Sequence, residues 1–205
     1  MKSVLIRALS YTGGLLIVSF GVTLTILAGL GAGAWDALNV GLANSTRFSV
    51  GNWVIFVGMI LIIINALLTK SKPVIHSLIT ILILGYFIDF WLIFVFNDSL
   101  FSGMGLQVVI LLIGIVVLAF GASIYMQAEF ALIPIDAFMF AIRHVLGVNL
   151  MIAKTIGELV ALIAAFIVGG PIGIGTVFVT FLIGPLIQFF FPRVGKRLDW
   201  KAAQE

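Results

Sequence analysis

Six apolar stretches set the pattern of this chain, at about residues 9–30, 50–69, 74–96, 106–128, 150–169 and 173–192. Each approaches the ~20 residues that a helix needs to cross the ~30 Å hydrocarbon core of a bilayer. The pattern therefore predicts six transmembrane helices. Two intervals between them differ from ordinary loops: Gly31 to Ser49, and Glu129 to Asn149. Both are moderately apolar, yet polar groups break them. Each is predicted to hold a short helix, Ala37 to Ala43 in one and Ala137 to Val145 in the other. Such a helix is too short to cross. It is expected to lie at the interface or to dip in as a re-entrant element.

The apolar pattern also repeats. Gly14 recurs as Gly114, Phe20-Gly21 as Phe120-Gly121, Ala28 as Ala128, and Asp36-Ala37 as Asp136-Ala137. These six identities share one offset without a gap, and Gly85 aligns with Gly184 after a one-residue slip. The expected organisation is a first three-span repeat over 1–100, a second over 101–192, and a basic tail over 193–205. An odd number of spans per repeat inverts the second half relative to the first, with a pseudo-two-fold axis in the membrane plane. Many transporter folds use that arrangement.

Composition agrees with a bundle in lipid. The chain is 62% hydrophobic and only 9% charged, against about 25% charge in a typical soluble chain. It has no cysteine, which excludes disulfides, thiolate nucleophiles and cysteine-based metal sites. The net charge of +3 is not a nucleic-acid footprint, because the basic residues sit in short loops and the tail. Lys2, Arg7, Lys70, Lys72, Arg143, Arg193, Lys196, Arg197 and Lys201 fall on one side of a six-span arrangement, and Arg47 alone on the other. Lysine and arginine accumulate on the cytoplasmic side, so both termini are expected there, in a multi-pass protein of the bacterial cell membrane. The start of the chain imitates a signal peptide. It is expected to be retained, because the run is long enough to span and has a partner in the second half.

Ionisable residues inside the spans carry the candidate chemistry. Glu158 lies about nine residues into the fifth span, ~13 Å deep at 1.5 Å per residue. A carboxylate there costs ~2.5–3.5 kcal/mol on insertion scales, so it is expected to face the interior. Lys154 precedes it by four residues, on the same helical face. The two together form either a proton- or cation-responsive site or a buried structural pair. Asp36 and Asp136 open the two short elements at matching positions, as helix N-caps, as gating or coordinating residues, or as both. Asp89 in the third span has Gln188 as its slipped counterpart, and the two are candidates for a lining face. Asp89 also reads as an interfacial residue beside Trp91 in an aromatic belt.

Gly169-Gly-Pro-Ile-Gly-Ile-Gly-Thr176 has the glycine density of a phosphate loop, but no Gly-Lys-Ser/Thr ending and no preceding strand, which excludes that function. The run predicts a tight turn between the last two spans. Gly169, Gly170, Gly173, Gly175 and Thr176 would expose backbone N–H groups able to receive a carboxylate or carbonyl of a solute. His76 and His144 are isolated from any metal-ligand spacing. No catalytic constellation is visible, so neither enzymatic activity nor a cofactor is expected.

A family resemblance joins these motifs. Gly29-Leu-Gly-Ala-Gly-Ala-Trp-Asp-Ala-Leu-Asn-Val-Gly-Leu42 is similar to the GxGPWDVLxxGL stretch of the bacterial YczE/YyaS/YitT-type membrane proteins. Ile133-Pro-Ile-Asp136 resembles their aPxD element. Lys154-x-x-x-Glu158, the 169–176 turn and Ile183-Gly-Pro-Leu186 resemble their RxxxE, GGxxGxGT and GP run. Ala34 stands where the family commonly has proline, and Lys154 where it has arginine. Lysine pairs as a point charge, without the planar bidentate fork of arginine. The resemblance covers nearly the whole chain and implies a multi-span bacterial membrane protein, with attention on Asp136, Glu158 and the glycine turn.

The sequence therefore predicts an all-α polytopic membrane protein: six spans in two inverted repeats, with short re-entrant or interfacial helices. The expected function is a small secondary transporter or permease for a small-molecule solute, proton- or cation-coupled through Glu158. The alternative is a non-transporting accessory protein acting through partner helices. The bilayer, a solute and a possible second copy of the chain are the expected partners.

Overall fold

The computed structural model describes residues 2–97 and 101–197. They form α1 (Lys2–Leu27), α2 (Ala34–Asn44), α3 (Val50–Thr69), α4 (His76–Asp89), α5 (Met104–Gln127), α6 (Pro134–Leu146), α7 (Leu150–Ile167) and α8 (Ile174–Arg197). α4 runs on without a break into a π-helical segment, Phe90–Val95. No strand occurs among the described residues. Six helices are long and apolar enough to cross a membrane: Val4–Leu27, Val50–Thr69, His76–Val95, Met104–Gln127, Leu150–Ile167 and Ile174–Lys196. All six expected spans are therefore present, and the two short helices, α2 and α6, fall in the two polar-broken intervals.

The boundaries move for physical reasons. α1 starts at Lys2 rather than near residue 9, because polar side chains do not interrupt the backbone ladder. It ends at Leu27, before Gly29 and Gly31 with φ of +69° and +103°, values that favour glycine. α8 passes Pro185 and Pro192 and continues to Arg197, so the first residues of the expected tail are helical. The rest of that tail, with Lys201, lies outside the described residues.

Both short helices begin earlier than expected, which corrects the N-cap expectation for their acids. Gly33 and Ile133 occupy the N-cap positions and make no side-chain cap bond. Asp36 and Asp136 are the third residues of α2 and α6, where a carboxylate still favours the positive end of the helix dipole.

The centre of the bundle is the α1–α5 pair, and the repeated glycines form its seam. A Cβ on Gly14 would lie 2.6 Å from the Tyr125 amide nitrogen, and one on Gly121 would lie 2.6 Å from that of Val18. Gly21 meets Leu118 as closely, and Gly114 meets Thr25. Small residues let helix backbones touch in a bilayer, where packing replaces the hydrophobic effect as the source of association. α4 flanks this pair through α1, and α8 through α5. Each short helix packs on a span of its own half and one of the other half: α2 on α3 and α7, α6 on α7 and α3. α7 presents Ala153, Gly157, Ala161 and Ala165 at four-residue spacing to Trp35, Phe138 and Ile142. The halves differ in one respect. α3 packs along α4, whereas α7 does not pack along α8. Gly85 abuts Gly51, while its counterpart Gly184 has open space around it.

Candidate functional site

The short helices decide where the acids go. α2 and α6 both lie against α7, and this carries Asp36 and Asp136 toward Glu158. The charges of Asp36 and Glu158 lie close enough to repel, as do those of Asp136 and Glu158. Lys154, one turn before Glu158, attracts both Glu158 and Asp136. Three carboxylates and one ammonium thus share one region of the bundle. All four side chains are half-buried.

The partners of these groups differ. Asp136 accepts a hydrogen bond from the Tyr125 hydroxyl, eleven residues earlier at the end of α5. Lys154 and Glu158 do not form an ion pair within 4.0 Å. The ion pair among the described residues is Arg7 with Glu129, at 3.5 Å. Lys154 therefore acts on Glu158 through space, so the direct pair expected from their spacing is not made. Trp35 of α2 meets Phe138 of α6 edge to face, with centroids 5.9 Å apart, and this contact joins the two short helices beside the acids.

Asp89 serves another purpose. Its carboxylate accepts the Ser49 hydroxyl at 2.5 Å and the Gly51 amide at 2.8 Å. Ser49 in turn accepts the Asn52 amide at 3.1 Å. Asp89 and Ser49 together close the N-terminus of α3. Asp89→Ala is expected to lower stability by roughly 1–2 kcal/mol, the usual cost of a lost cap. Thermal unfolding in detergent measures it, and an unchanged midpoint would rule out the capping role. Gln188, its counterpart, is exposed on α8. The structure does not bring this pair to the acids.

The glycine turn is spent on packing. The Gly175 amide donates to the Leu30 carbonyl at 2.7 Å, and the Pro171 carbonyl accepts from Ala32 at 3.1 Å. The Gly173 amide donates to the Thr176 hydroxyl at 3.1 Å. A Cβ on Gly170, Gly173 or Gly175 would strike the backbone of Ala37, Leu30 or Gly31. The turn holds the loop after α1 in place. The amides of Gly173 and Gly175 are already taken, so the run acts as the tight turn and these two amides are not open to a solute. Gly169 ends α7 with φ of +67°.

Several polar residues escaped the sequence reading. Tyr125 is 2% exposed and holds Asp136. A tyrosine hydroxyl inside an apolar span was the available signal, since it needs a partner when buried. Asn39 is buried with no partner for its Oδ1. It follows Asp36 by three residues, hence on a neighbouring face of α2. Asn65 of α3 donates to the Pro134 carbonyl at 3.0 Å and ties α3 to the start of α6. His76 and His144 join no group able to hold a metal among the described residues.

The YyaS protein of Bacillus subtilis is 39% identical over 184 residues, covering 90% of this chain and 92% of that protein. The same organism's "uncharacterized membrane protein YczE" is 31% identical over 204 residues, covering 99% of this chain and 94% of its own length. An uncharacterized protein of Haemophilus influenzae is 29% identical over 189 residues, covering 92% and 82%. No solved structure matches. The YczE and YyaS parts of the resemblance are borne out. Residues 5–192 match the model of the family of unknown function DUF6198, and with these relatives the chain belongs to that family of membrane proteins.

Proposed function

We propose that this protein is a small secondary transporter or permease, without enzymatic activity, in the bacterial cytoplasmic membrane. One observation carries the reading: Asp36, Asp136 and Glu158 come from three separate elements and, with Lys154, lie close enough for their charges to interact. Ionisable groups inside a bundle are costly, and four in one place are more than packing requires. Such a cluster takes up a proton or a cationic group and releases it as the surrounding helices move.

The frame supports alternating access. Each half runs long, short, long, long, and the contacts α2–α7 and α6–α3 are reciprocal. Two inverted halves, 1–100 and 101–192, would rock about the acids, with α2 and α6 as the elements that expose them to one side or the other. The nine-to-one split of basic residues supports cytoplasmic termini.

One observation favours a second reading, an accessory membrane protein acting through partner helices or a second copy. α7 and α8 do not pack along one another, and Phe166 and Phe181 stand exposed on them.

Untargeted metabolite levels, inside cells and in the medium, separate the two readings when null, wild-type and Asp36→Asn strains are compared at matched expression. Transport predicts a compound that wild type redistributes and the variant does not. No redistribution under any growth condition, with substitutions at Phe166 and Phe181 disabling instead, would establish the accessory reading.

A further inference from the structure

The junction between α3 and α4 carries a second kind of chemistry, opposite in charge to the acidic cluster. α3 ends at Thr69, α4 begins at His76, and the connection contains Lys70 and Lys72. Lys70 takes the left-handed conformation that closes α3, with φ of 51°. Neither lysine has a carboxylate within 4.0 Å among the described residues. Both charges are exposed and unpaired.

Two cavities flank this connection and share Ala66 and Ser71. One, of about 310 Å³, lies between α3, the start of α4 and α6; Thr69, Ser71, Lys72 and Ser77 line it above Leu132 and Phe140. The other, of about 370 Å³, runs along the adjoining face of α3 past Ile63, Leu67 and Pro73, with Lys70 at its rim. Ile63 and Leu67 are among the most exposed apolar residues of α3, so this groove is continuous with the lipid-facing surface.

Ser77 is the informative residue. It is 3% exposed, it lines the first cavity, and among the described residues its hydroxyl makes no hydrogen bond. It sits in the first turn of α4, whose N-terminus has no side-chain cap. The Ser77 and Leu78 amides of that turn already donate to the Val74 carbonyl at 3.0 Å and the Ile75 carbonyl at 2.9 Å, which leaves the Ser77 hydroxyl as the donor that faces the cavity. The hydroxyl opens onto the cavity beside Lys72.

We propose that this junction binds an anionic phospholipid, with its phosphate at Lys72 and the Ser77 hydroxyl, and an acyl chain along Ile63 and Leu67 beneath Lys70. Unpaired lysines select a negative headgroup. The predominantly apolar linings select a ligand with chains over a soluble phosphate, which leaves both grooves unfilled. This site stands independently of the transport reading, because none of its residues belongs to the acidic cluster.

Native mass spectrometry of the full chain in mild detergent tests it, by titration with phosphatidylglycerol and, separately, with phosphatidylcholine. Wild type is expected to retain the anionic lipid preferentially. Each lysine contributes about fivefold near a charged surface, so the Lys70→Gln/Lys72→Gln double variant is expected to lose roughly 25-fold in affinity for phosphatidylglycerol alone. Ser77→Ala weakens retention of the same lipid, while Lys196→Gln, at the far end of α8, changes neither lipid. Equal retention of both lipids by wild type would overturn the proposal, as would an undiminished preference in the double variant. Displacement of phosphatidylglycerol by millimolar inorganic phosphate would reassign the site to a soluble anion. If a variant fails to purify as a monodisperse protein, wild type still decides: phosphatidylglycerol must raise its unfolding temperature where phosphatidylcholine does not.

Discussion

Gly121→Val is expected to cost 3 kcal/mol or more of stability, at or beyond the top of the ~1–3 kcal/mol range for overpacking. A Cβ there would lie 2.6 Å from the Val18 amide nitrogen, 2.8 Å from Ile17 Cγ2 and 3.0 Å from the Gly14 carbonyl. Two of these three are backbone atoms of α1, which cannot rotate away as a side chain can. α1 and α5 would have to separate along the middle of the bundle. Separation there also disturbs Tyr125, whose backbone contacts Gly14 and whose hydroxyl holds Asp136. Gly13→Val is the control, because a Cβ on Gly13 meets nothing within 4 Å; it is expected to stay within about 0.5 kcal/mol of wild type. Thermal unfolding of the two variants in the same detergent compares them directly. Equal midpoints would mean that the α1–α5 seam is looser than described.

Glu158→Gln is expected to reduce flux by roughly an order of magnitude or more, or to uncouple it from the proton gradient, with membrane insertion intact. The amide keeps the shape of the side chain and removes its capacity to change charge. Glu158 feels repulsion from Asp36 and Asp136 and attraction from Lys154, so the substitution relieves one set of interactions and removes the other. Folding should change little, while a site that works by gaining and losing charge should fail. Two readouts separate these effects: the yield of monodisperse protein, and solute uptake into proteoliposomes containing a trapped pH-sensitive dye. Coupled flux at the wild-type rate would remove Glu158 from the mechanism. A loss of both yield and flux would mark it as structural.

The role of the repeat became clear only in three dimensions. The recurrence of Gly14 and Gly21 as Gly114 and Gly121 is legible in the chain as a pattern. That these four positions are where α1 and α5 touch follows from the crossing of two helices roughly one hundred residues apart. Likewise, the recurrence of Asp36 and Asp136 marked them as candidates. Their meeting with Glu158 depends on both short helices packing against α7, which no local spacing encodes.

Three local readings gave way to long-range contacts. The amides of Gly173 and Gly175, candidates for receiving a solute, go to Thr176 and Leu30. Asp89, expected to line a path with Gln188, closes the N-terminus of α3. Lys154 and Glu158, four residues apart, stop short of an ion pair. In each case a group with several possible partners took the one that the packing of other helices made available.

The number of spans, the positions of the two short helices and the identity of the ionisable residues were all set by the amino-acid order. Transfer into lipid is decided segment by segment, from the length and polarity of roughly twenty neighbouring residues. The tertiary structure alone decided which acids meet, which glycines bear backbone contacts and which hydroxyls remain without partners. Helices that all satisfy their own backbones can pack in many ways, and only close steric and polar fit between distant segments selects among them.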